Sequence, residues 1–216
     1  AKASVEQGLE AALESALAHW LYHDEVWLRG NAKAKAEILL AIARVRHALV
    51  LFGGIVPRKA TTHLRALLND AEAALLAADT ADEALFRTEV VAAKLALTEW
   101  LVQRGWRPFL NEAGEKKIAG SFKRFADIHL SRAAAELRGA VQHLAVEDAP
   151  DQLPKLARDI DSVQLLAGAY GDAVAPWLEN WQELQRAIEH DDRSVFEYFR
   201  RQALAAEPVW LHSGKR

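Results

Sequence analysis

His19 and His23 stand four residues apart, and on a helix that spacing places two imidazoles on one face, where they can share a zinc ion. Asp24 follows His23 directly, and nothing in the sequence supplies an obvious third ligand. Trp20, Tyr22 and Trp27 give the same segment the pattern of an amphipathic packing helix, so no metal is assigned to it. Asp159 and Asp161 are the nearest approach to a metal-binding carboxylate pair, but two residues along a helix their side chains point roughly 200° apart, and they read as solvated acids. Gly53-Gly54 is not followed by the Gly-Lys-Ser/Thr that completes a phosphate-cradling loop, and no serine sits in a nucleophile elbow. With no cysteine in the chain, thiolate chemistry and disulfides are excluded. Catalytic constellations are scarce, and no catalytic residue and no cofactor are assigned.

The charge pattern is more specific. The 216 residues carry 27 Lys and Arg against 30 Asp and Glu, a formal charge of −3, yet the positive charge is gathered in two blocks. Residues 30–66 have a balance of +6, with Glu37 the single acid, and residues 103–138 have +4. The remainder is acidic. A basic surface built from two separated segments suits a polyanion.

The elements that position these residues are helical. Apolar residues recur at helical spacing almost throughout, and the β-branched alternation of strands is missing. Ile38, Ile42, Val45, Leu49 and Phe52 form one such stripe. Gly, Pro and Asn clusters predict breaks at Gly30-Asn31, Gly53-Gly54 with Pro57, 79–82, Gly105 with Pro108, 148–151 and 168–176. Asp192–Ser194 offers an N-cap for a last helix through Phe196 and Phe199, which Pro208 ends. About eight helices with short connections follow, all-α, cut near residue 110 into two halves of about four. No apolar run reaches the ~20 residues of a membrane span, and no signal-peptide pattern opens the chain, so a cytoplasmic protein is expected. The absence of methionine, even at position 1, points to a piece of a longer polypeptide.

Within the second block, Gly114–Lys117 reads as a polar start to a helix reaching Arg138, with the stripe Ile118, Phe122, Phe125, then His129 and Arg132. An apolar face thus turns cationic partway along. Two readings are open. One is a core histidine with an arginine reaching solvent or pairing with Glu136. The other is a cationic lining whose forked guanidinium donors meet phosphate oxygens.

The string KLALTEWLVQRGWRPFLNEAGEKKIAGSFKRFADIHLSR (Lys94–Arg132) resembles the conserved histidine α-helical domain, CHAD, and more narrowly the CHAD half of bacterial inorganic triphosphatases with an upstream CYTH catalytic domain. VRHALVLFGGIVPRKA (Val45–Ala60), DQLPKLARDIDSVQLLAGAY (Asp151–Tyr170), WLENWQEL (Trp177–Leu184) and WLHSGKR (Trp210–Arg216) fit the same subfamily, so the likeness covers nearly the whole chain. The resemblance implies two antiparallel four-helix bundles related by pseudo-twofold symmetry, with a basic channel that binds inorganic polyphosphate. It also implies that the catalytic site, with its Glu-x-Glu-x-Lys motif, lies in a CYTH domain outside this chain.

The family's pattern, a His followed by basic residues three, seven and ten places later in each half, is met in part. His129 and Arg132 match; Glu136 occupies the third place, and Arg138 falls one position early. In the first half the places read Ala36, Leu39, Ala43 and Arg46, with Arg44 flanking. The expected anion ligands are Arg44, Arg46, Lys123, Arg124, His129, Arg132 and Arg138, joined by Lys94, Arg104 and Arg107. Inorganic polyphosphate or a related phosphate anion is the expected partner, beside the CYTH domain of the same polypeptide. A second reading makes the chain a structural module that has lost the anion and docks on the CYTH domain through exposed tryptophan-rich segments. Nucleic acid fits less well, because Trp20, Trp100 and Trp181 lie at packing positions and not among the cations. No amphipathic Lys-rich helix suggests a membrane surface.

Overall fold

Ile38, Ile42, Val45, Leu49 and Phe52 are buried along the whole stripe, as their spacing predicts. In the computed structural model, which describes residues 2–211, they belong to α2 (Ala34–Leu51) and the turn behind it. Ten α-helices are present among the described residues, and there is no strand. Eight are long: α1 (Val5–Leu28), α2, α3 (Arg58–Ala77), α5 (Thr88–Val102), α7 (Phe122–Val141), α8 (Ala149–Leu166), α9 (Ala175–Glu189) and α10 (Arg193–Ala205). Two are short, α4 (Ala81–Leu85) and α6 (Glu112–Ile118). No described helix is long and apolar enough to cross a membrane.

The chain divides into two compact units, residues 5–119 and residues 120–216 with 1–4. The division falls beyond the expected cut near 110, because α6 packs against α1 and stays with the first unit. Residues 1–4 join the second unit, where Phe122 N–H donates to Ala3 O at 3.0 Å. The expected single helix from Lys116 to Arg138 is also divided, at Ala119–Ser121. Asn111 caps α6 by accepting from Gly114 N–H at 2.8 Å, and Ser121 Oγ caps α7 by accepting from Arg124 N–H at 3.3 Å. Two capping residues ten positions apart leave room for a short helix and a new start. At α10, Asp192 holds the N-cap position without capping a backbone N–H; its carboxylate accepts instead from Ser194 Oγ at 2.7 Å.

Cross-helix contacts fix the directions within each unit. In the first, Glu6 meets Trp106 and Asp24 meets Lys94, so α1 and α5 run antiparallel. Lys35 donates to Ala78 O while Arg46 donates to Asn69, which sets α2 against α3 the same way. In the second, Arg138 donates to Leu204 O and Arg200 to the carbonyls of Val141 and Gln142, which orders α7 against α10 and covers open carbonyls at the end of α7.

Six of the seven tryptophans are buried, and the seventh, Trp100, is half-buried edge-on to Trp106 at 5.1 Å between ring centroids. The tryptophans therefore build the cores of the two units and supply no exposed docking face, which corrects that expectation. Gly105 makes the Trp100–Trp106 contact possible: a Cβ there would lie 2.1 Å from Trp100 Cδ1.

Candidate anion-binding site

Four of the five candidate cations in the first unit are held by the protein's own carboxylates. Lys94 Nζ lies 2.7 Å from Asp24 Oδ2, in a pair largely shielded from solvent. Burial raises the Asp24 pKa, and Lys94 opposes that rise. Arg104 Nε lies 2.8 Å from Glu10, and its Nη1 lies 3.6 Å from Glu6. Arg107 donates to Glu6, whose other oxygen accepts from Trp106 Nε1 at 2.9 Å. Burial alone would lift the Glu6 pKa, but the hydrogen bonds from Arg107 and Trp106 and the charge of Arg104 outweigh it and hold the carboxyl below its ordinary value. The same contact raises the Arg107 pKa. Arg104 has φ of 50°, a left-handed conformation just past the end of α5 where glycine is the usual occupant. Its side chain explains the choice, since glycine could not reach Glu6 and Glu10.

Arg46 on α2 donates to Asn69 at 2.6 Å and forms an ion pair with Glu72 on α3. Its burial lowers the guanidinium pKa. Arg44 is half-buried and has protein contacts of its own. Arg46, Lys94, Arg104 and Arg107, expected as anion donors, are thus engaged in ion pairs inside the first unit. The acids that claim them, Glu6, Glu10, Asp24 and Glu72, come from other helices, so no count of charge along the chain could pair them.

The second unit differs. Arg124 and Arg132 are exposed on α7, two turns apart, with half-exposed Ile128 between them on the same side. Arg132 makes no ion pair or side-chain hydrogen bond among the described residues; Glu136, the partner offered for it by sequence, turns to Asp159 on α8 instead. His129 is half-buried beside Arg132, its ring 4.2 Å from that of Phe125. Burial, and then the charge of Arg132, push its pKa below 6.5. Lys123 lies 5.3 Å above the Tyr170 ring, a cation–π contact that leaves its ammonium exposed. Arg138 is placed differently: its guanidinium donates to Leu204 O at 2.6 Å, beside a cavity of about 400 Å³ bordered by α7 and the segment 204–211. What α7 offers an anion is therefore Arg124, His129 and Arg132, with Lys123 at the edge.

Asp159 is not the solvated acid its spacing suggested. It is buried, on the α8 face that carries Leu156, Ile160 and Val163, and one carboxylate oxygen has no partner. Burial, then its contact with Glu136, push its pKa up to about 7. Sequence reasoning also missed Glu37, which the α1–α2 hairpin brings within 2.8 Å of His19 Nε2. The visible signal was its place as the single acid of a basic block, three residues into a helix that follows a short turn from the histidine-bearing one.

The family model described as CHAD domain matches residues 11–201. Among solved structures, the crystal structure of the CHAD domain from the plant Ricinus communis is similar to this chain at 17% sequence identity and a TM-score of 0.54. The match covers 95% of this chain and 87% of that one.

Proposed function

The chain belongs to the CHAD domain family, and from that premise we propose that it is a non-catalytic module that binds inorganic polyphosphate through the exposed cations of α7. The observation that carries the reading is the contrast between the units. Arg46, Lys94, Arg104 and Arg107 are neutralised internally, whereas Arg124 and Arg132 face solvent, and Arg132 has no carboxylate partner among the described residues. Guanidinium forks match phosphate oxygens, and a repeated anion can meet several at once. Selection would be for chain length and charge, since phosphate carries no sequence to read.

The narrower likeness to the CHAD half of bacterial inorganic triphosphatases carries the rest of the proposal: the module serves a CYTH catalytic domain of the same polypeptide and takes no chemical step itself. The internal pairing in the first unit favours a second reading, in which the basic residues serve packing alone and the module only supports its neighbour.

Titration of the chain with long-chain polyphosphate at two salt concentrations separates them. Three engaged cations give a slope of log affinity on log salt of roughly −2, so affinity falls about fifteenfold between 50 and 200 mM. Absence of binding at the lower salt would leave only the supporting role.

A further inference from the structure

Two histidines one turn apart on α1 face a carboxylate on α2 across a short turn. The ligand atoms offered by His19, His23 and Glu37 all lie within 4.8 Å of one another. We propose that these three residues form a binding site for a borderline transition-metal ion, zinc above all, with a fourth position open to water.

Four features support it. The donor set is chemically selective: two imidazoles and a carboxylate suit zinc and its first-row neighbours and do not suit magnesium or calcium, which take oxygen ligands. The tautomer of His23 is fixed, because its Nδ1–H donates to the carbonyl of His19 at 2.8 Å and leaves Nε2 as the free donor. The donors sit on helices and not on loops: Trp20 beside His19 is fully buried, and the Asp24–Lys94 pair ties this turn of α1 to α5. Finally, the site is open on one side, with the His19 and Glu37 side chains 28% and 43% exposed.

The step from empty to occupied is small. His19 Nε2 and Glu37 Oε2 are 2.8 Å apart, bridged by a proton, while tetrahedral zinc with bonds of about 2.0 Å sets its ligands roughly 3.3 Å apart. Binding therefore exchanges the bridging proton for the metal, moves those two atoms apart slightly and draws His23 Nε2 inward. The two imidazole rings already lie 4.2 Å apart between centroids, tilted by 47°, with Tyr22 edge-on to His23 at 4.9 Å, so the ligating rings start as neighbours.

The test is titration of the metal-free full chain with Zn2+ against a chromophoric chelator, paired with Co2+ absorption as a reporter of four-coordinate geometry. The expected result is one equivalent bound at micromolar or tighter dissociation constant, weakened tenfold or more in His23→Gln and in Glu37→Gln. Both substituted positions are at least partly exposed, and melting without metal shows that each variant is folded. The chain has eight histidines, so unchanged affinity in a folded His23→Gln would place the metal elsewhere and overturn the proposal. Failure of the wild-type chain to bind Zn2+ at about 100 μM would overturn it as well. Neither outcome bears on polyphosphate, whose proposed ligands lie in the other unit.

Discussion

His129 is the one proposed anion ligand whose charge changes near neutral pH. Burial and Arg132 keep its pKa below 6.5, so the free protein holds it neutral at pH 7.5. A bound phosphate chain supplies the opposite charge and raises that pKa, so binding takes up a proton as the pH falls. Polyphosphate affinity is therefore expected to rise by about threefold to tenfold between pH 7.5 and 5.5, the worth of one charge-assisted hydrogen bond in a wet site. His129→Gln should flatten this rise while leaving the affinity at pH 7.5 nearly intact. A pH profile unchanged by that substitution would remove His129 from the site. Sequence placed His129 beside Arg132 on one helix face, and they are there. Sequence could not show that Glu136, the residue between Arg132 and the next expected cation, turns away to Asp159, since that depends on which helix lies alongside.

The α7–α8 contact sets the behaviour of that acid pair. Asp159 has a pKa of about 7 in the folded chain, well above the ~3.9 of an unfolded Asp. Between those values the native state holds a proton that the unfolded state has released. Stability from this group is complete below about pH 4 and falls as the pH rises through 7. Asp159→Asn, which mimics the protonated form, should stabilise the protein at pH 8 by on the order of 2 kcal/mol and have little effect at pH 4.5. Denaturant unfolding at both pH values measures this; equal effects at both would contradict it. At the end of α5, Gly105→Ala forces a methyl group into the Trp100 ring. Overpacking costs about 1–3 kcal/mol, seen as a lowered melting temperature, and an unchanged one would show that Trp100 can swing aside. Helix existence was legible from apolar spacing, as the stripe from Ile38 to Phe52 shows. The break at Ala119–Ser121 was missed because Ile118 and Phe122 continue an i, i+4 pattern across it, and both are buried on either side of the turn.

For the whole chain, two basic blocks in an acidic background suggested a polyanion partner, and the folded protein divides their meaning. Charge counted along the sequence takes no account of acids that folding brings near. In the first block Arg46 is claimed by Glu72, and at the start of the second Arg104 and Arg107 are claimed by Glu6 and Glu10, whereas the later part of the second leaves α7 presenting cations to solvent. The fold class was readable because helical periodicity is local, and the long strings around Lys94–Arg132 carried the family. The composition of the proposed anion site was not readable, because ion pairing is a matter of tertiary contact. The most direct test compares two arginines that the sequence treated alike. Polyphosphate affinity and its salt dependence are measured for wild type, Arg132→Ala and Arg46→Ala at a temperature where all three are folded. Arg132→Ala is expected to bind about tenfold more weakly, with a salt slope shallower by roughly one, and Arg46→Ala to stay within about twofold of wild type. Equal losses in the two variants, or binding that ignores Arg132, would contradict the assignment of the anion to α7.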